Sequence, residues 1–358
     1  MVLFDTNPKS DPRFLYGREK ELDELVESLK KKNWVILLGP RRVGKTSLAE
    51  CAIKKMGEKI FLLDARENSD FAGALNKLLK IPESSLKVKT DIKVPYTPIS
   101  IGAEYNKTLS KKDLEYLLKR IGHIYIIVDE AQWLKNPRKV VMLLAHLYDY
   151  YYDHVTFIIT GSMIGVMKSI LEPGPSSPLY GRAITEMEIR RWQSSISLGF
   201  LKAGTAELHL ELNDKMAINI EENLDGLPGW LTLFGYNYSQ TKNPNLALTK
   251  TIKEANKIVS QEVKSIAELG IGTQRLIAVL SVLAKEPLRF VDIGKTTNFN
   301  NTSLSKYLST LGRLGYIEKD TKSRYYISDP LLLRFVKDRT INNVSRKSHA
   351  VYGWDDVT

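Results

Sequence analysis

Short runs of consecutive apolar residues punctuate the first half of the chain: 35–38, 60–63, 124–128 and 157–159. Each stops abruptly at Gly, Asp or Thr, and runs this short, bounded by polar residues, read as buried strands. Between them the apolar positions change period. Leu22, Leu25, Val26 and Leu29 share one helical face, as do Leu48, Cys51, Ala52 and Met56, and a further helix is expected over 70–79. Strands alternating with helices predict an α/β fold built on a parallel sheet. Residues 82–108 alternate around Pro95 and Pro98, which predicts an inserted hairpin. One more strand is expected just after Arg182.

The second half is patterned differently. Residues 205–269 show helical stretches and no strand-like alternation. Beyond Gly270, Leu276, Val279, Leu280 and Leu283 line one face, 290–297 forms a short helix, and Leu304, Leu308, Leu311 and Leu314 line another. Ser305, Lys306, Ser309 and Arg313 then point outward, and 316–330 reads as a hairpin with a polar tip at 320–323. Three helices followed by a hairpin look like a winged helix. The predicted division is a core over 1–204, a helical lid over 205–269, a winged helix over 270–336 and a tail over 337–358.

Composition adds bounds. Of 358 residues, 43% are hydrophobic and 26% charged, as in ordinary globular proteins. No apolar run approaches the roughly 18 residues that cross a bilayer, the first residues lack signal-peptide patterning, and Cys51 is the only cysteine. The expectation is a cytoplasmic protein with no membrane association. The net charge is +11, and residues 271–358 hold 14 Lys and Arg against 8 Asp and Glu, or +6. That skew suits a polyanionic partner or a basic soluble surface equally.

The chemistry concentrates at strand ends. After 35–38 comes Gly39-Pro40-Arg41-Arg42-Val43-Gly44-Lys45-Thr46-Ser47, which fits G-x-x-x-x-G-K-[ST] between a strand and a helix. Glycines let the loop curl so that backbone N–H groups and the helix N-terminus face an anion. Lys45 would then reach the β- and γ-phosphates, and Thr46 would ligate magnesium. The run 124–128 ends in Asp129-Glu130. Adjacent carboxylates can simply terminate a strand; beside a phosphate loop, Asp129 would hold the metal and Glu130 would activate water. An Asp-Glu pair with an additional intervening strand marks the ATPase branch containing AAA+ and STAND proteins. Thr160 or Ser162, at another strand tip, would sense the γ-phosphate or the water, or merely end the strand. Arg182 would stabilise transferred charge, or is a surface arginine.

The chain resembles the archaeal ATPase family of the STAND class, relatives of AAA+ proteins. The stretches that carry the resemblance are "FLYGREKELDELVESL", "GPRRVGKTSL", "IIVDEAQ", "IITGS", "PLYGR" and "NLDGLPGWLTLF". It implies that Tyr16, Gly17 and Arg18 lie near an adenine, and that Pro228, in a Gly-x-Pro element, packs on the base from the lid. The expected function is a molecular switch that binds and hydrolyses ATP with Mg2+, passing its nucleotide state through the lid to the winged helix, with a protein partner and possible oligomerisation. The alternative is an ATP-regulated binder of duplex DNA, similar to archaeal replication initiators. The third helix offers only Lys306 and Arg313 as cations and no cluster for reading bases.

Overall fold

A computed structural model describes residues 3–79, 122–161, 177–268, 273–313 and 315–345. The expected hairpin at 82–108, Ser162, most of the tail and the junction near 270 lie outside these residues.

Five parallel strands, β1 (Trp34–Leu38), β2 (Ile60–Asp64), β3 (Ile124–Asp129), β4 (Val155–Gly161) and β5 (Ile184–Glu188), pair in the order β2-β3-β4-β1-β5. The central strands β1, β3 and β4 are buried along their whole length, whereas the edge strands β2 and β5 are not. Alternate residues feed two cores. Val35, Leu37, Ile127 and Ile158 face helices α1 (Glu19–Lys30) and α2 (Lys45–Met56). Trp34, Ile36, Ile126 and Phe157 face α3 (Phe71–Leu79) and α4 (Pro137–Tyr151). The sheet is a two-sided partition with helices on each side, and every strand's C-terminal end lies on the same edge.

The chain then becomes helical: α5 (Ser194–Glu207), α6 (Asp214–Leu224), α7 (Pro228–Thr241) and α8 (Pro244–Glu268). Helix α5 runs through residue 204, where a boundary was expected. Three further helices follow, α9 (Thr273–Leu283), α10 (Phe290–Thr297) and α11 (Asn301–Arg313), then a small antiparallel sheet and α12 (Pro330–Ser345). That sheet has the order β6-β8-β7, from Leu288–Arg289, Arg324–Ile327 and Ile317–Lys319. Leu276, Leu280, Leu304 and Leu308 are buried as the periodicity requires. Their cluster is continuous with the core on the α2 side of the parallel sheet.

Candidate active site

The loop after β1 turns sharply enough to bring its backbone against the chain end leaving β5. Gly39 has φ +147°, and a Cβ there would lie 2.1 Å from the carbonyl oxygen of Ile189, so no larger residue fits. The loop then enters α2, whose first turn carries Lys45 and Thr46. Lys45 is buried, and its Nζ donates to the carbonyls of Gly39 (2.9 Å) and Pro40 (2.7 Å). An ammonium has three donors, so one remains for an anion. Burial pushes the Lys45 amine down from its usual range, against the opposing pull of Glu130 and Asp129.

Strand order explains how the acidic pair arrives. In space β4 lies between the loop strand β1 and the carboxylate strand β3. Asp129 ends β3, and its two carboxylate oxygens each accept from the Thr46 hydroxyl at 3.0 Å. Thr160, fully buried near the end of β4, also donates its hydroxyl to Asp129. The Glu130 backbone N–H donates back to Thr160 Oγ1 at 3.2 Å. Burial pushes the Asp129 carboxyl up; the Thr160 and Thr46 hydroxyls pull it down, and the charge of Glu130 pushes it up further. Glu130 sits in the left-handed region, at φ 52°, which is uncommon for a residue with a side chain. Its carboxylate accepts from the Gln132 amide. Hard oxygen donors, a hydroxyl and a carboxylate beside a phosphate loop, suit Mg2+. Thr46 and Asp129 are the residues here that fit it.

The remaining expected residues divide three ways. Tyr16, Arg18 and Pro228, together with 42–47 and Glu130, line one cavity of about 380 Å³, within the range of small-molecule sites. Arg18 is also a brace: its buried guanidinium donates to the carbonyls of Arg190 (2.5 Å) and Val43 (3.2 Å) and pairs with Glu21 (2.7 Å). Gly17 packs on Ile196 and Trp192 instead of lining the cavity. Ser47 Oγ accepts from the backbone N–H of Lys9.

The Arg41 and Arg42 guanidiniums reach from the loop to distal elements. Arg41 donates to the Tyr316 hydroxyl (3.0 Å) and pairs with Glu262 of α8 (3.2 Å). Arg42 pairs with Glu262 (2.5 Å) and with Asp329 at the start of α12 (3.0 Å), and stacks over the Trp230 ring at 4.1 Å. Asp329 in turn accepts from Trp230 Nε1 at 3.1 Å and from the first N–H groups of α12. Nothing in the spacing of the loop motif foretells these partners.

Arg182 departs from expectation. It precedes β5, whose first residue Ile184 pairs with Trp34, the first residue of β1, while the phosphate loop leaves β1 after Leu38. At about 3.3 Å per residue, Arg182, six residues before the level of Leu38, therefore stands toward the opposite end of the strands, roughly 20 Å away. Its guanidinium pairs there with Asp149 of α4, at 2.6 and 2.9 Å. Within one chain it does not serve this site. Thr160 does lie at this corner, its hydroxyl bonded to Asp129 and to the Glu130 amide.

The profile of an ATPase domain found predominantly in Archaea matches residues 15–234, more than half of the chain. The chain belongs to this family of archaeal ATPases. Among solved structures, the ATPase resembles the Walker-type ATPase PABY2304 of Pyrococcus abyssi at 26% identity, with TM-score 0.75, over 94% of this chain and 99% of that one. It also resembles the Aeropyrum pernix ORC2 protein, solved as ADPNP–ADP complexes, at 15% identity and TM-score 0.57, over 96% and 98% of the two chains. The latter likeness is one of fold alone. No curated protein matches this ATPase. Among the described residues no helix is long and apolar enough to cross a membrane.

Proposed function

We propose that the protein is a cytoplasmic, Mg2+-dependent ATP hydrolase of the STAND type, acting as a switch whose output is the position of its C-terminal part. In this reading 1–204 is the core, 205–269 a lid, 270–336 a winged helix and 337–358 a tail. Bound Mg2+ would neutralise phosphate charge between Thr46 and Asp129. Lys45 and the loop N–H groups hold the β- and γ-phosphates, and Glu130 takes a proton from the attacking water. Thr160 keeps Asp129 and the Glu130 backbone in place for this.

The switch reading rests on one observation: Arg41 and Arg42, inside the phosphate loop, bond to Glu262 of the lid and to Tyr316 and Asp329 around the winged helix. A loop that must adapt to one phosphate more or fewer is thereby tied to both distal units. Dyes at exposed Glu58→Cys and Lys306→Cys test it, since Cys51 is buried and escapes labelling. The separation is expected to differ between ADP and a non-hydrolysable ATP analogue, and Arg41→Ala, Arg42→Ala to hold the ATP-like value throughout. One unchanging separation would sink the switch.

Duplex DNA is the second reading for the winged helix, because Lys306, Lys319 and Lys322 are exposed. Arg324 is paired with Asp320 within the turn, at 2.7 Å. With no base-reading cluster on α11, we favour a protein partner, and oligomerisation would give Arg182 a neighbour to act on. DNA affinity that falls steeply with salt, and is lost on Lys306→Ala, would reverse that preference.

A further inference from the structure

The cavity that holds Tyr16 and Pro228 has a wall that lies before the family's matched region. Residues 5–9 run along it, between two anchors on different parts of the molecule. At the first anchor, the Phe4 ring is fully buried and meets Phe200 edge-on, with centroids 5.3 Å apart. The notch that admits it is cut by Gly204 of α5 and Gly235 of α7, where a Cβ would lie 2.2 and 2.1 Å from that ring. Leu3 N donates to Glu207 at 3.0 Å beside it. At the second anchor, Lys9 N donates to Ser47 Oγ at 2.9 Å, and Cys51 Sγ donates to the Lys9 carbonyl at 3.3 Å, both on α2. Between them Asp5 accepts from the Asn7 backbone and side-chain amides (3.1 and 2.9 Å), and Lys9 Nζ returns to the Asp5 carbonyl at 2.7 Å.

The segment therefore bridges the phosphate-loop helix and the lid-side helices, with Thr6, Asn7 and Pro8 facing the space between. Residues 44–47 give the cavity its phosphate end; Tyr16, Trp192 and Phe200, which pack on one another, add with Leu233 an apolar enclosure suited to a flat heterocycle. We infer that residues 3–9 are the closing wall of the nucleoside end, so that the seating of Phe4 sets affinity for the nucleoside part of an adenine nucleotide and leaves phosphate binding alone. This rests on the nucleotide-site reading above and names what selects the nucleoside.

The test is titration of MgADP and of Mg-tripolyphosphate against the full chain and its Phe4→Ala and Phe4→Leu variants. Phe4→Ala is expected to weaken MgADP at least tenfold and tripolyphosphate less than twofold, with Phe4→Leu recovering most of the loss. Retained tripolyphosphate binding is itself the check that the fold survives. MgADP affinity unchanged in Phe4→Ala, or both ligands weakened equally, would overturn the inference. A wild-type chain that binds tripolyphosphate and MgADP with equal affinity would overturn it while leaving the phosphate site standing. A wild-type chain that binds neither would bring down the nucleotide-site reading as well.

Discussion

The two ends of the cavity are built on opposite principles. The phosphate end is polar and local: Lys45, Thr46 and Ser47 are consecutive in one helix turn, and Asp129 joins them from a strand one position removed in the sheet. Its buried charges are held by neutral groups, Lys45 by the Gly39 and Pro40 carbonyls and Asp129 by the Thr46 and Thr160 hydroxyls. The nucleoside end is apolar and dispersed. Its walls are gathered from well-separated stretches of the chain, among them residues 5–9, 14–16, Trp192, Phe200 and 228–230. Stability and chemistry conflict at the first end, where charge is buried for function. They coincide at the second, where the same contacts that close the cavity also close the core.

Breaking the phosphate end has the larger consequence. Lys45→Ala removes a charge-assisted contact and is expected to cost about 100-fold in affinity for MgADP and Mg-tripolyphosphate alike, by calorimetry. Loss for ADP alone would mean that the lysine serves the nucleoside end. Next comes the tie between the loop and the distal helices. Arg42→Ala leaves the buried Asp329 without its cation and Glu262 with Arg41 alone, and should cost roughly 3 kcal/mol in the docking of α8 and α12, read by hydrogen exchange in those helices. Protection unchanged there would show that the ion pairs are ornamental.

A smaller effect sharpens the conflict between stability and chemistry. Asp129→Asn keeps acceptor and donor atoms for Thr46 and Thr160 but removes a buried charge beside Glu130. The nucleotide-free chain is expected to gain about 2 °C in Tm while losing turnover. A fall in Tm would mean that the carboxylate earns its place structurally. The smallest effect belongs to Arg182→Ala. Its half-exposed partner Asp149 makes an ordinary surface pair, worth under about 1 kcal/mol. Turnover of the dilute monomer should stay within twofold; a large loss there would put an arginine from the far edge into the site after all.

The phosphate end was legible because its information is contiguous. A run such as Val35–Leu38 followed by two glycines and Lys-Thr needs no distant residue to make sense, and Asp129-Glu130 stands out at the tip of an apolar run. Arg182 was readable in principle. It precedes its strand whereas Lys45 follows its own, and in a parallel sheet that alone puts them at opposite ends of the strands. The partners of Arg41 and Arg42 were not legible, because Glu262 and Asp329 lie more than 200 residues away and carry no motif. Phe4 was equally silent: one phenylalanine in a short leading segment gains meaning only when Gly204 and Gly235 are seen to have made room for it.

The central claim is that this corner of the sheet hydrolyses ATP with Glu130 as the base. It is tested most directly by phosphate release from Mg-ATP by the Glu130→Gln chain, with MgATP affinity measured on the same sample. The account predicts affinity within a fewfold of wild type and turnover reduced by about 100-fold or more. Wild-type turnover with binding intact would contradict it.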